Sequence, residues 1–193
     1  MKKHTIGYLA CPKCKASNFS LRVNRQKGDE ILSGKLTCNN CGKGYRILDG
    51  ILNTVIKEYV KSPSKLSTIL YNLYAPFYDT LENFFGRLIG LSEERFREEV
   101  VKRLELSGKN FVLEVAIGTG GNIPIIRKYS EGPIFGLDLS EGMLKKCLEK
   151  VRKYGWDVEL FCGNAECLPF KTNSFDAVLN LGGITYFSDK KEL

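Results

Sequence analysis

The feature that most constrains this chain is a set of four cysteines near its amino terminus, arranged as two C-x-x-C pairs. Cys11 and Cys14 form the first pair, Cys38 and Cys41 form the second, and 23 residues separate them. Two such pairs supply the four thiolates of a tetrahedral zinc site, in which the metal joins two turns that are distant along the chain. Two disulfides are the alternative, but they need an oxidising compartment. We therefore expect a structural zinc ion in a small amino-terminal module.

This module is predicted to span residues 1–56 and to consist of short β hairpins. Residues 19–23 alternate apolar and polar side chains, and residues 31–37 form a second candidate strand before the second cysteine pair. A module of this size buries little apolar surface by itself, so metal binding is expected to contribute to its folding free energy.

The positive charge of the chain is concentrated in the same module. Residues 1–50 contain ten Lys and Arg against three Asp and Glu, whereas residues 51–193 contain 19 of each sign. A basic module beside an uncharged domain is typical of a surface that binds a polyanion such as RNA. A lysine-rich face that only contacts solvent is the alternative, and composition does not decide between them.

The first residues do not have the pattern of a secretory signal. They include lysines and only a short apolar stretch, which ends at the first cysteine pair. The chain also has no run of about 18 apolar residues, so we expect no membrane span. These patterns favour the cytoplasm, where cysteines stay reduced.

A second domain is predicted over residues 70–193, after a polar linker at residues 57–69 that contains a proline. From residue 111 onward, short apolar segments alternate with helical patterns. Apolar strands separated by helices indicate a parallel sheet that is covered on both faces. The first of these strands leads into the glycine turn Gly118-Thr119-Gly120-Gly121, and Asp138 ends the next strand. In α/β folds of this kind an acid at that position accepts hydrogen bonds from ribose hydroxyls.

Four segments of this domain resemble, in order and spacing, the first four motifs of class I S-adenosylmethionine-dependent methyltransferases. They are LEVAIGTG, GLDLSEGML, GNAECLPF and NSFDAVLN. The earlier segment YNLYAPFYD, residues 71–79, resembles the lead-in helix of the ubiquinone/menaquinone-type branch. The resemblance implies a Rossmann-like sheet whose first four strands lie in the order 3-2-1-4, with S-adenosylmethionine as the cofactor.

The resemblance also implies which residues meet the methionine half of the cofactor. Glu114 would contact the methionine part, directly or through water, and Ala116, Gly118 and Gly120 would form the turn beneath it. Asn180 would lie at the floor of the pocket where the sulfonium faces the acceptor. Ala116 departs from the family pattern, which usually has a glycine there, and Glu114 could instead be a solvated acid at a strand end.

Five further residues are implied for the ribose and adenine half. Asp138 would hold the ribose, and Leu139 and Met143 would pack on the adenine, although both could instead serve only the core. Asn164 and Ala165 would read the adenine edge. Asn164 replaces the usual aspartate, and its amide oxygen can still accept a hydrogen bond from the adenine amino group.

The amino-terminal module has a resemblance of its own. The segment CNNCGKGYRILDGILNTV is similar to the closing part of the small zinc-ribbon proteins that activate tRNA, rRNA and translation-factor methyltransferases. A zinc ribbon ahead of a methyltransferase domain also resembles bacterial large-subunit rRNA guanine methyltransferases. Those enzymes usually have a histidine among the zinc ligands, whereas this chain has four cysteines.

The chain contains fewer strands than the complete sheet of that family, so its carboxyl-terminal strands are expected to be missing. An uncovered fourth strand predicts self-association or a second chain that completes the sheet. Three function classes stay open. The first is methylation of a small-molecule or lipid-quinone acceptor, and the second is methylation of RNA or protein that the basic ribbon binds. The third is a non-catalytic binding or interaction fragment. No residue stands out as a catalytic base.

Overall fold

The computed structural model describes residues 1–60, 68, 70–73, 75 and 93–181. Most of the predicted linker and of the lead-in segment YNLYAPFYD lies outside these residues, as do residues 182–193. Among the described residues, no helix has the length and apolar character that crossing a bilayer requires.

The described strands all belong to one mixed sheet, and the helices are short or of moderate length. The strands are β1 Phe19–Lys27, β2 Glu30–Cys38, β3 Gly44–Leu48, β4 Ile51–Asn53, β5 Val112–Val115, β6 Ile134–Asp138, β7 Val158–Cys162 and β8 Ala177–Asn180. The helices are α1 Glu93–Lys102, α2 Ile123–Ile126 and α3 Glu141–Tyr154, and 3-10 turns occur at Lys3–Tyr8, Lys57–Tyr59 and Ala165–Cys167.

The order of the strands across the sheet is β1-β2-β3-β4-β7-β6-β5-β8. The first four strands pair as antiparallel hairpins, and β7, β6, β5 and β8 are mutually parallel. The parallel half therefore has the order 3-2-1-4 in its own numbering, which confirms the predicted Rossmann-like class I methyltransferase sheet preceded by a small β ribbon. The predicted domain boundaries and the predicted association through β8 stay predictions.

A parallel pairing between β4 and β7 joins the ribbon to the Rossmann-like half. Leu52 lies opposite Phe161 and Asn53 opposite Cys162, and Thr54 extends the contact by donating its backbone N–H to the carbonyl of Cys162 at 2.7 Å. The ribbon thereby covers the edge of β7, whose backbone groups would otherwise be open to pairing with another chain.

One face of this sheet carries a core that runs through both halves without a break. Leu36 and Leu52 from the ribbon belong to the same buried cluster as Leu113, Phe135 and Phe161. Phe135 is the centre of its aromatic part, with ring centroids 4.6 to 5.8 Å from five other rings. Those rings belong to Tyr8, Phe111, Phe161, Phe170 and Phe175.

Helix α3 covers the opposite face of the parallel strands. Leu144, Cys147 and Val151 are buried there against β5, β6 and β7. The helix begins after Ser140, whose hydroxyl accepts from the backbone N–H of Met143 at 3.2 Å, as is typical of a serine at this position. It ends at Gly155, which has the left-handed conformation that a helix terminus favours (φ 65°).

Replacing the central ring tests whether the aromatic cluster holds the two halves together. We expect Phe135→Ala to lower the free energy of unfolding by about 3–5 kcal/mol, because a large buried ring leaves a cavity that its neighbours cannot fill. Phe96→Ala is the matched control, since Phe96 is 61% exposed. Urea unfolding followed by circular dichroism measures both, and equal losses for the two variants would contradict the assignment of Phe135 to the shared core.

Candidate functional site

The four cysteines of the ribbon converge on one point. Their sulfur atoms all lie within 4.8 Å of one another, with 3.7 Å between Cys11 and Cys41 and 3.6 Å between Cys14 and Cys38. Four thiolates around a tetrahedral Zn²⁺, with Zn–S bonds of about 2.3 Å, lie roughly 3.8 Å apart. A disulfide has its sulfurs at about 2.05 Å. The arrangement therefore fits zinc and does not fit two disulfides.

Two equivalent turns present these thiols. The backbone N–H of Lys15 donates to the carbonyl of Cys11 at 2.7 Å, and that of Gly42 donates to the carbonyl of Cys38 at 2.9 Å. Both donors have left-handed backbones, with φ of 60° at Lys15 and 71° at Gly42. Each C-x-x-C segment is thus closed by the residue that follows it, which brings both sulfurs of a pair to the same side.

Two side chains outside the cysteine set contact the sulfurs. The buried hydroxyl of Tyr45 lies 2.9 Å from the Cys11 sulfur, and burial raises the pKa of Tyr45, which keeps it a donor. The Asn40 amide donates to the Cys14 sulfur at 3.5 Å, and this bond is the largest of several hydrogen bonds that together lower the pKa of Cys14 to about 6. Such partners favour the thiolate form that a metal needs and orient it. Neither residue is predicted from the sequence to belong to the metal centre, although Tyr45 stands in the segment that carries the zinc-ribbon resemblance.

The metal centre makes a direct prediction about composition. Protein purified without added metal should contain about one equivalent of zinc, because four thiolates complete the coordination sphere. Cys38→Ser should lose most of the metal, whereas Cys167→Ser should keep it, since Cys167 lies outside the cluster. Elemental analysis by mass spectrometry measures the content. Wild-type protein with free thiols and less than about a tenth of an equivalent would contradict a zinc site.

A second constellation lies where the parallel strands end. Glu114 in β5 is 1% exposed, and its Oε1 accepts from the Asn122 amide at 2.6 Å. Asn122 in turn accepts from the guanidinium of Arg97 in α1 at 2.9 Å. The other oxygen of Glu114, Oε2, has no hydrogen-bond partner among the described residues. Burial raises the pKa of Glu114 to about 8, so the free protein carries it mostly protonated at neutral pH.

The glycine turn after β5 has left-handed backbone at three of its positions. The φ angles are 59° at Ala116, 57° at Gly118 and 80° at Gly120. A Cβ at Gly120 would lie 2.6 Å from the Ile123 side chain and 2.8 Å from the Cys147 sulfur, so that position accepts no side chain. A Cβ at Gly118 would meet no atom within 4 Å, so that glycine faces open space. Ala116 is the one position of the three where a non-glycine residue adopts this conformation.

Asp138 ties this turn to the end of β6. One carboxylate oxygen accepts from the backbone N–H of Gly118 at 2.8 Å, and the other accepts from the backbone N–H of Ser140 at 2.8 Å. Burial raises the pKa of Asp138, and the two backbone donors oppose that rise. Asp138 therefore holds the backbone of the turn and of the segment before α3 in place, a function that its place in the sequence did not predict.

The amide of Asn164 is engaged by the protein itself. Its oxygen accepts from the backbone N–H of Glu166 at 3.0 Å, and its nitrogen donates to the carbonyl of Tyr59 at 3.1 Å. The oxygen that was expected to meet the adenine thus caps the 3-10 turn that begins at Ala165. An sp² oxygen keeps a second lone pair, so an adenine contact needs the same atom to accept twice.

The remaining predicted residues lie at the same edge of the sheet. Asn180 ends β8 opposite Val115 of β5, and its Oδ1 is buried without a partner among the described residues. Met143 is 2% exposed in the first turn of α3, and Leu139 is half-buried just before that helix. The structure therefore gathers the predicted residues along the carboxyl ends of the four parallel strands, which is where α/β proteins bind ligands.

Asn72, from the lead-in segment, reaches this edge as well. Its side-chain oxygen accepts from the hydroxyl of Ser140 at 2.7 Å and from the backbone N–H of Gly142 at 2.8 Å. It thereby supplies the amino-terminal end of α3 with an acceptor. The sequence contains this residue in a family-like segment but gives no sign of its long-range partners.

Ala116 offers a test of how the turn is held. Left-handed backbone costs a non-glycine residue about 1–2 kcal/mol, so Ala116→Gly should raise the free energy of unfolding by about 1 kcal/mol after the entropy that glycine adds to the unfolded chain. The control is Ala165→Gly. Ala165 starts a 3-10 turn, so this substitution should leave the free energy of unfolding unchanged or lower it. Denaturant titration measures both. A less stable Ala116→Gly variant would contradict this, because it would show that packing of the Ala116 methyl group stabilises the protein by more than the left-handed backbone costs.

Comparison with known proteins finds a family model that resembles part of each half. Residues 112–193 match the family model for a methyltransferase domain, and residues 2–50 match that for Trm112p-like proteins. The chain is 34% identical over 128 residues to demethylmenaquinone methyltransferase of Lactiplantibacillus plantarum. The aligned segment covers 64% of this chain and 52% of that protein. It is 39% identical over 87 residues to the enzyme of the same name from Geobacillus kaustophilus, covering 44% of this chain and 37% of that one.

Solved structures resemble the chain over a similar share. A SAM-dependent methyltransferase from Aquifex aeolicus is 27% identical, with a TM-score of 0.45, over 49% of this chain and 52% of that chain. The chain thus spans about half the length of the first curated relative.

Proposed function

We propose that this chain, which joins a Trm112p-like zinc ribbon to part of a class I methyltransferase domain, binds S-adenosylmethionine at the carboxyl ends of β5, β6, β7 and β8. The proposed reaction is transfer of its methyl group to a small-molecule or lipid acceptor of the quinone class. Its cytoplasmic location is part of the same proposal.

The observation that carries the proposal is a pair of buried oxygens without partners among the described residues. Glu114 Oε2 and Asn180 Oδ1 lie near the carboxyl ends of the neighbouring strands β5 and β8. A buried acceptor without a hydrogen bond is costly, roughly 1–3 kcal/mol, and rare in native structures. A ligand that brings donors and positive charge to the ends of these two strands would remove the cost. S-adenosylmethionine carries an ammonium group at its methionine end and a positive sulfonium centre.

Each residue of the edge has a proposed task in holding such a ligand. Glu114 would accept from the ammonium group, and the Arg97–Asn122 contact would orient its carboxylate. The open face of Gly118 would let the ligand approach the turn closely. Asp138 would accept from the ribose while it holds the turn, and Leu139 and Met143 would line the adenine side. The bound cofactor supplies an electrophilic methyl group, and the chain contributes mainly by positioning it for an in-line acceptor.

The acceptor class rests on the relatives. The two curated proteins named above are demethylmenaquinone methyltransferases, and the lead-in segment of this chain resembles that branch. An RNA or protein acceptor bound by the basic ribbon is the second candidate, and the charge of residues 1–50 is the observation that favours it.

The pH dependence of cofactor binding tests the central contact. Burial raises the pKa of Glu114 to about 8, so below that pH the free carboxyl must lose a proton before it can pair with an ammonium group. Affinity should therefore rise with pH, by up to roughly tenfold per unit below the pKa of the free group, and level off above it. Isothermal titration calorimetry at pH 6, 7 and 8 measures the slope.

The Glu114→Gln variant is the control for that slope. It should bind S-adenosylmethionine weakly, and its affinity should not follow this rise, while any titration of the ligand's own amino group is common to both proteins. Equal pH profiles for the two would contradict the contact, and absence of binding to folded wild-type protein would contradict the proposed function. Transfer of a tritiated methyl group to lipid, RNA or protein extracts then identifies the acceptor, and labelling only of RNA or protein would refute a quinone acceptor.

A further inference from the structure

Three cations form a straight row across the outer strands of the ribbon. Arg22 of β1 lies opposite Lys35 of β2, and Lys35 lies opposite Arg46 of β3. Residues in register point to the same side of a sheet, and all three side chains are exposed. The stem of Lys35 lies directly over Gly44, where any Cβ would collide with it. We call this set, Arg22, Lys35 and Arg46, the cation row.

Folding alone does not account for this arrangement. Like charges directly opposite each other on neighbouring strands destabilise a sheet. No member of the row forms an ion pair with a described residue, whereas nearby Arg25 pairs with Asp49 at 3.6 Å. The only acid within β1 to β4 is Glu30, at the start of β2. The positive charge of the row is therefore not neutralised by an ion pair with a described residue, and it is available to an external anion.

The register of the sheet leads from the cation row to the candidate cofactor edge. In register, Arg46 is followed by Asn53 of β4, then by Cys162 of β7 and Asp138 of β6. Asn53 also donates to Glu141 at the start of α3 at 2.8 Å. An anionic surface held by the cation row would thus lie on the same side of the sheet as the edge where the cofactor is proposed to bind.

The rest of this face distinguishes between kinds of polyanion. Leu48, two residues after Arg46 and on the same side, is 62% exposed. The aromatic residues of β1 to β4, Phe19 and Tyr45, pack into the core on the opposite face. Single-stranded RNA is usually held by stacking of its bases on aromatic side chains, and strands β1 to β4 offer none on this face. Cations around an exposed leucine are instead the combination found at the surface of an anionic bilayer.

We propose that the cation row and Leu48 form a docking surface for an anionic lipid bilayer, so that the ribbon brings the chain to the membrane in which a lipid acceptor is dissolved. The purpose of this docking rests on the proposed quinone-class acceptor, but the binding itself needs neither cofactor nor acceptor. Each Lys or Arg near an anionic membrane surface contributes about 1 kcal/mol, so a surface of this size gives reversible attachment that salt weakens.

Sedimentation with lipid vesicles tests the proposal. The full chain, loaded with zinc, should bind vesicles containing phosphatidylserine and should not bind vesicles of phosphatidylcholine alone. The variant with Arg22→Gln, Lys35→Gln and Arg46→Gln should lose roughly fivefold in partition coefficient for each charge removed. Raising the salt concentration should weaken the wild type much more than this variant.

A second triple variant controls for total charge. Lys102, Arg103 and Lys109 are exposed residues outside the ribbon, and their replacement by Gln removes the same charge. It should bind phosphatidylserine vesicles within about a factor of two of the wild type, because distant charges are screened. The row variant should also be at least as stable to heat as the wild type, since it removes a cross-strand repulsion.

Three results would overturn the proposal. They are equal binding by the two triple variants, no preference for phosphatidylserine, and tighter binding of the wild type to an RNA hairpin that depends on the row, which would identify a nucleic-acid surface. Calorimetry with S-adenosylmethionine separates this from the proposed function. Vesicle binding without cofactor binding refutes only the methyltransferase assignment, and cofactor binding without vesicle binding refutes only the docking surface.

Discussion

The parallel contact between β4 and β7 is the interaction on which the rest of the molecule depends. It is only a few residues long, yet Leu52 and Phe161 at its centre are both fully buried. It converts a ribbon that could bury little apolar surface alone into the outer part of a larger sheet with a common core. The cysteine cluster and the candidate cofactor edge therefore belong to one folded unit, and the backbone at Thr54 and Tyr59 reaches residues of β7 and the loop after it.

Local patterns in the sequence predicted the elements and the metal ligands well, because those features depend on residues close together in the chain. The spacing of the cysteines from Cys11 to Cys41 and the alternation of apolar strands with helices each carry their own physical signal. The pairing of Asn53 with Cys162 has no such signal. The two residues are far apart in sequence, and β4 is too short to show a pattern of its own.

The same limit explains what was missed at the candidate site. The resemblance indicated positions but not partners, so the hydrogen bonds of Asp138 to Gly118 and of Asn164 to Tyr59 could not be read from it. The chain from Arg97 through Asn122 to Glu114 likewise joins three separate elements. Departures from local rules collect in this region: a left-handed alanine, a buried carboxyl with a raised pKa and two oxygens without partners among the described residues. Such departures are typical of functional sites.

The contact between the Trm112p-like ribbon and the methyltransferase strands is made within a single polypeptide. A covalent link turns association into an intramolecular event, with an effective concentration in about the millimolar range when the geometry allows both parts to meet. The ribbon is then synthesised in a one-to-one ratio with its methyltransferase strands and does not depend on the supply of a separate subunit.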